Sequence, residues 1–102
     1  MVLDLSRRRV GFVGAGVVGT VLAVALGRLG YQPVAVVSRT RDSAEALVDR
    51  VEGCEALDDP QQVADLASIV FITTPDAAIE NLAASVRWNE GQWVVHLSLI
   101  HI

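Results

Sequence analysis

The clearest chemical signal in the chain is a turn of six residues, Gly14-Ala15-Gly16-Val17-Val18-Gly19. Its glycines fit the pattern G-x-G-x-x-G, directly after an apolar run at 10–13 and before a helical pattern. In such a turn the first glycine permits a tight bend, the second lets a phosphate approach the backbone, and the third lets the helix lie close to the strand. The helix end adds free N–H groups and a positive dipole end. These six residues are therefore predicted to bind the pyrophosphate of a dinucleotide.

A second candidate group, Ser38-Arg39-Thr40, follows the next apolar run. A domain that prefers NAD usually has Asp or Glu about twenty residues beyond the glycine turn, where it binds the ribose hydroxyl. A carboxylate there would repel a 2′-phosphate, whereas a guanidinium and two hydroxyls would bind it. The residues thus favour NADP(H) over NAD(H). The alternative, that Arg39 and Arg41 are only solvated surface charges, stays open at this point.

Two further candidates follow the fourth and fifth apolar runs. Ligands of doubly wound sheets bind outside the carboxyl ends of the strands, at the switch point of the strand order. We therefore expect Thr73, Thr74 and Pro75 to contact the cofactor, although ordinary turn and cap chemistry would explain Pro75 and Asp76 equally well. His96 could face the nicotinamide as a catalytic group. Its alternative is a structural histidine in an apolar strand.

The elements that must position these residues alternate between strand and helix patterns. Apolar runs at 10–13, 33–38, 54–57, 68–75 and 92–98 predict five strands. Between them lie four helical patterns. The first has apolar positions at Val18, Val21, Leu22, Ala25 and Leu29, and the fourth, after Asp76, has them at Ile79, Leu82, Ala83 and Val86. The second has capping-box spacing at Asp42 and Glu45, and the third begins with Asp59-Pro60. The order predicts an α/β fold: a Rossmann, doubly wound parallel sheet with five strands in the order 3-2-1-4-5.

Composition agrees with one domain over residues 1–102. Of the residues, 52% are apolar and 20% charged, which suits a compact α/β fold. The net charge of −4 argues against nucleic acid as a partner. The single cysteine, Cys54, excludes an internal disulfide, and no Cys/His cluster has zinc-ligand spacing, so no metal site is predicted.

A membrane interpretation competes for the same glycine-rich stretch. Eighteen uncharged residues, 10–27, lie between arginines, which approaches the roughly twenty that span a bilayer. Gly19, Ala23 and Gly27 have small-xxx-small spacing, and Ala23-Val24-Ala25 is similar to a signal-cleavage site. Against this, four glycines fall within 11–19, and cleavage would remove the strand at the centre of the predicted sheet. We therefore favour a cytoplasmic nucleotide-binding domain with no membrane partner.

Three segments, VGFVGAGVVGTVLAVALGRLGY, VAVVSRT and IVFITTPDAAI, resemble the cofactor domain of the pyrroline-carboxylate reductase and phosphogluconate dehydrogenase superfamily. Within it they look most like a bacterial branch of Rossmann-like oxidoreductases with a separate helical C-terminal domain. The resemblance covers Arg9 to about His96. It implies NADP contacts at 14–19 and 38–40, with the 73–76 loop near the nicotinamide ribose. It also implies hydride transfer to or from a small C=O or C=N substrate by a homodimeric protein.

The chain departs from that branch at its last six residues, LSLIHI, where a Ser-Gly segment is usual. Residues 97–102 resemble a translated adapter, so we expect a non-native tail, a missing substrate and dimerisation domain, and an inactive isolated chain. Two other classes of function remain at this point. One is a nucleotide-sensing or regulatory module without turnover, and the other is a membrane-anchored protein without enzymatic activity.

Overall fold

The computed structural model describes residues 8–73 and 85–96. Within them the chain forms five strands and three helices: β1 (Arg9–Val13), α1 (Val17–Arg28), β2 (Gln32–Val37), α2 (Arg41–Arg50), β3 (Glu55–Ala56), α3 (Pro60–Leu66), β4 (Ile69–Ile72) and β5 (Trp93–His96). The predicted fourth helix lies outside the described residues except near its end, where Val86 is buried. The segment at 97–102 also lies outside them.

The five strands form one parallel sheet in the order β3-β2-β1-β4-β5, which confirms the predicted α/β fold and strand order. β1 is central: Phe12 pairs with Val36 of β2 on one side and with Phe71 of β4 on the other. The chain leaves β1 towards β2 and returns on the other side as β4. The switch point is therefore between β1 and β4, at the carboxyl end of β1, where the glycine turn begins.

Helices cover β1 on both faces, which explains its continuous apolar sequence. On one face, Phe12, Ala23 and Leu47 join α1 and α2 to the sheet. On the other, Val63 and Val70 join α3 to it. All five side chains are fully buried. Two core layers thus fix β1 and the turn that follows it.

The face of α1 that packs on the sheet differs from the stripe of apolar residues in the sequence. Val18, Val21 and Leu29 each expose half or more of their surface, whereas the buried positions are Gly19 and Ala23. The predicted helix is correct, but its larger apolar residues do not mark the buried side. Small residues do so because α1 approaches the sheet closely.

The start of α2 also corrects the sequence prediction. Its N-cap is Thr40, whose Oγ1 accepts a hydrogen bond from the Ser43 N–H at 3.3 Å, so the capping box at Asp42 and Glu45 is wrong. The predicted cap of α3 is confirmed, since Asp59 accepts from the Gln61 N–H at 3.0 Å. The helix ends of this fold are therefore closed by side chains at two of the three described N-termini.

The uncharged run at 10–27 divides into a strand, a turn and a helix of 12 residues. That helix is much shorter than the roughly twenty residues a membrane span requires. No helix in the described part of the chain is long and apolar enough to cross a bilayer.

Candidate functional site

The backbone of the glycine turn has the sharp bend that its first glycine was predicted to allow. Gly14 has a φ of +109°, a conformation that side-chain-bearing residues rarely adopt. Its N–H donates to the Val37 carbonyl at 2.7 Å, which ties the turn to the end of β2. The turn, which follows β1 directly, is therefore also fixed to β2.

The other two glycines of the motif have opposite surroundings. A Cβ built on Gly19 would lie 2.5 Å from the Gly14 carbonyl oxygen and 3.0 Å from Thr73 Oγ1, so packing requires a glycine there. A Cβ built on Gly16 would meet nothing within 4 Å, and its φ of −68° is open to any residue. The fold itself therefore does not explain Gly16, whereas close approach of a ligand to the backbone would.

Gly16 is also the N-cap of α1, and this helix end has no side-chain cap. No hydrogen bond within the described residues is donated by the N–H groups of Gly16, Val17 or Val18. The first turn contains no acidic residue. Such an arrangement of free N–H groups and positive dipole end can bind an anion.

A cleft of about 440 Å³ lies over this turn. It brings together residues from the glycine turn, from the loop after β2, from the start of α2 and from the end of β4: Gly14, Ala15, Gly16, Ser38, Arg39, Thr40, Ser43 and Thr73. Val17, Val18 and Gly19 continue the turn into α1 but do not line the cleft. Three predicted groups that are distant in sequence thus share one site.

The two arginines after β2 differ in their pairing. Arg41 forms ion pairs with Asp58 at 2.5 Å and Glu45 at 3.6 Å, and it does not line the cleft. Arg39 is exposed, lines the cleft, and has no hydrogen bond or ion pair among the described residues. The charge that can reach an anion in the cleft is therefore that of Arg39.

Sequence reasoning missed Ser43, which lines the same cleft from the first turn of α2. The Thr40 hydroxyl donates to Ser43 Oγ at 2.8 Å, which leaves the Ser43 hydroxyl proton available. The predicted phosphate-binding hydroxyl of Thr40 is thus engaged in the helix cap. The spacing Thr40-x-x-Ser43, a Ser/Thr cap at the first turn of a helix, could have indicated this pair.

Residues after β4 and β5 are placed differently. Thr73 lines the cleft, whereas Thr74, Pro75 and Asp76 lie outside the described residues. His96 is exposed at the end of β5, in register with Ile72, and does not line the cleft. Because β4 separates β5 from β1, the structure does not bring His96 to the glycine turn.

The described residues do not support a metal site or a reactive cysteine. No three His, Cys, Asp or Glu side chains in residues 8–73 and 85–96 are grouped so as to hold a metal ion. Burial raises the pKa of the Cys54 thiol to about 11, so it stays protonated at neutral pH and is a poor nucleophile. The cleft is therefore the best-supported site.

Comparison with known proteins gives a family and a set of similar folds. The model of the Rossmann-like domain family matches residues 2–101. A protein of Bacteroides fragilis named as an NADP oxidoreductase is 32% identical, with a TM-score of 0.82, over 91% of this chain and 36% of that one. An imine reductase from Pseudomonas sp. is 26% identical, with a TM-score of 0.76, over 90% and 32%.

A prephenate dehydrogenase from A. aeolicus, solved with hydroxyphenyl propionate and NAD⁺, is 21% identical, with a TM-score of 0.78, over 94% of this chain and 35% of that one. At this identity it shows the fold alone. No curated protein sequence matches significantly. The chain spans about a third of the length of these solved proteins.

Proposed function

The chain belongs to the Rossmann-like domain family, and we propose that it is the NADP(H)-binding part of an oxidoreductase. The proposed reaction moves a hydride to or from a small C=O or C=N substrate. Because the chain spans only a third of its solved relatives, the reaction, the substrate and a homodimeric assembly all belong to the proposal.

One observation carries the proposal: the cleft joins two separate binding positions for negative charge. Its lining includes Gly16, at the start of α1, and Arg39; neither the Gly16 N–H nor the Arg39 guanidinium has a hydrogen-bond partner among the described residues. A pyrophosphate fits the first position, and a 2′-phosphate fits the second. NADP(H) has both groups on one molecule.

The preference for NADP(H) over NAD(H) rests on the residues after β2. Among the described residues that line the cleft there is no carboxylate, and Ser38 stands where an NAD-binding domain usually has its acidic residue. The 32% identical Bacteroides fragilis protein, named for NADP, supports the same choice. The relative solved with NAD⁺ is too distant in sequence to argue against it.

When bound, a nicotinamide cofactor supplies or accepts the hydride. The chain's own residues would hold it: the turn from Gly14 to Gly19 at the pyrophosphate, and Ser38, Arg39 and Ser43 at the adenosine end. The 26% identical imine reductase supports the C=N alternative for the substrate. We assign no catalytic acid or base among the described residues.

The cleft also leaves a second function possible. Arg39 is the only ionisable side chain among the described residues that line the cleft, so these residues include no carboxylate or histidine to act as a general acid or base. A nucleotide sensor without turnover would need no such group. Oxidation of NADPH by the protein in the presence of simple ketone or imine substrates would exclude the sensor.

The test is a calorimetric titration with NADPH and NADH of the wild-type chain and of two arginine variants. We expect tighter binding of NADPH. Arg39→Ala should weaken NADPH binding by roughly 10- to 150-fold, the equivalent of about 1.5–3 kcal/mol for a hydrogen bond to a charged group, and should leave NADH unchanged.

Arg50→Ala is the matched control, since it removes the same charge from the far end of α2. It should bind both nucleotides like the wild type. Equal losses of NADPH and NADH affinity in Arg39→Ala would contradict the NADP assignment. A folded wild-type chain that binds neither nucleotide would contradict nucleotide binding.

A further inference from the structure

The first three carbonyl groups of the glycine turn, those of Gly14, Ala15 and Gly16, all accept hydrogen bonds from inside the protein. The Gly14 carbonyl accepts from the Thr73 hydroxyl at 3.0 Å. The Ala15 carbonyl accepts from the Thr20 hydroxyl at 3.1 Å. The Gly16 carbonyl accepts from the Thr20 N–H at 2.9 Å. None of these three carbonyls is left to face the cleft unpaired.

The two threonines reach the turn from different elements. Thr20 lies in the first turns of α1, and Thr73 directly follows β4, 59 residues away from Gly14 along the chain. Both side chains are half-buried. The turn is thus held from the helix side and from the sheet side.

These bonds also set the direction of the N–H groups. In a trans peptide the C=O and N–H of one plane point in opposite directions, and the described chain has no cis peptide. Thr73 binds the Gly14 carbonyl, and the N–H of the same peptide plane, that of Ala15, therefore points away from Thr73. Thr20 does the same for the Gly16 N–H by way of the Ala15 carbonyl. Neither N–H donates a hydrogen bond within the described residues.

The electrostatic consequence favours an anion. An unpaired carbonyl oxygen facing a phosphate would repel it, and a peptide that could flip would present that oxygen part of the time. With the carbonyls engaged, the turn presents N–H groups without having to be ordered on binding, which lowers the entropic cost of binding.

We propose that Thr20 and Thr73 are positioning residues that hold the turn from Gly14 to Gly16 in the conformation that binds the dinucleotide phosphates. The inference deepens the proposed function and rests on it. It also explains the third glycine of the motif: a Cβ on Gly19 would lie 3.0 Å from Thr73 Oγ1 and 2.5 Å from the carbonyl that Thr73 holds.

The test replaces each hydroxyl by a methyl group of similar size. In Thr20→Val and Thr73→Val, NADPH should bind about fivefold more weakly for each lost hydrogen bond. Thr20→Ser and Thr73→Ser keep the hydroxyl and should restore the affinity. Circular dichroism and urea unfolding establish that each variant is folded, and the two sites test the claim independently.

Ser68→Ala is the matched control. The Ser68 hydroxyl also donates to a β1 carbonyl, that of Arg9, at 3.1 Å, but at the opposite end of the strands. Its loss should leave the NADPH affinity unchanged. Nitrogen-15 relaxation of the ligand-free protein adds a readout without nucleotide: the Ala15 and Gly16 amides should become more mobile in the double valine variant and not in Ser68→Ala.

The outcomes separate the two proposals. Suppose that the wild-type chain binds NADPH. If the folded valine variants then bind it equally well, or if their turn amides stay rigid, only the role of the threonines is overturned. A wild-type chain that binds neither NADPH nor NADH would overturn the proposed function, and this inference with it.

Discussion

The N-termini of α1 and α3, two helices of the same chain, are built in two different ways. α3 begins with Asp59, whose carboxylate accepts from the Gln61 N–H at 3.0 Å, and Pro60 removes another donor. α1 begins with Gly16, which has no side chain to offer, and no acidic residue follows in its first turn. The chain thus closes one helix end with its own atoms and leaves the other open.

The missing cap indicates that the N-terminus of α1, and not that of α3, is the helix end at which a bound anion is expected. A side-chain cap stabilises a helix by typically about 1 kcal/mol, so an uncapped end forgoes that stability. At α3 the cap is supplied by Asp59, which is not among the described residues that line the cleft. At α1 the open end lies beside a cleft that also holds Arg39. A phosphate bound there would complete the cap that the sequence lacks.

The largest effect is expected when the N-terminus of α1 is given an aspartate cap like that of α3. Gly16→Asp places a carboxylate where a Cβ meets nothing within 4 Å, so the fold should tolerate it. The new side chain should satisfy the free N–H groups and repel phosphate. We expect NADPH affinity to fall on the order of 100-fold or more while stability to urea stays equal or rises slightly.

Gly16→Ala is the companion variant for this experiment. It adds a Cβ without a charge, so it should fold equally well and lose much less affinity than the aspartate variant. Unchanged NADPH binding by Gly16→Asp, measured by calorimetry, would show that the phosphates do not lie at this helix end.

The next largest effect concerns Gly19, the glycine of α1 that packing requires, in contrast to Gly16. Gly19→Ala must push a Cβ against the Gly14 carbonyl, and overpacking of this kind costs about 1–3 kcal/mol. This cost should exceed the gain of about 1 kcal/mol that alanine brings to a helix. The free energy of unfolding should therefore decrease.

Gly27→Ala is its control in the same helix, because a Cβ there meets nothing within 4 Å. It should raise the free energy of unfolding by about 0.5–1 kcal/mol. The same sign of change in both variants, measured by urea unfolding, would contradict the close approach of α1 to the turn.

The smallest effect tests whether the α3 cap is only structural. Asp59→Ala removes the acceptor of the Gln61 N–H and should lower stability by about 1 kcal/mol. NADPH affinity should not change, since Asp59 does not line the cleft. A loss of affinity in a folded Asp59→Ala protein would mean that the two helix ends are not independent.

Local patterns predicted the sheet and the position of the glycine turn, because strand, turn and helix signals there lie within a few residues of each other. The same patterns could not show which side of α1 is buried, since Val18, Val21 and Ala23 are all apolar. They placed the α2 cap at Asp42 because Asp42 and Glu45 have capping-box spacing, although Thr40, two residues earlier, is also a residue type that caps helices.

What the sequence could not reveal depends on contacts between distant residues. Thr73 meets the Gly14 carbonyl only because β4 pairs with β1. The pairing of Arg41 with Asp58, which leaves Arg39 as the free cation of the described cleft, is of the same kind. Spacing alone contains none of these contacts.

The central claim is that the open N-terminus of α1 receives the phosphates of NADP(H). Amide NMR spectra of the nitrogen-15-labelled chain, recorded during a titration with NADPH, test it most directly. The account predicts that the largest downfield shifts fall on the N–H groups of Gly16, Val17 and Val18, while Gln61, capped by Asp59, does not move. Saturable binding of NADPH that leaves those three amides unshifted would contradict it.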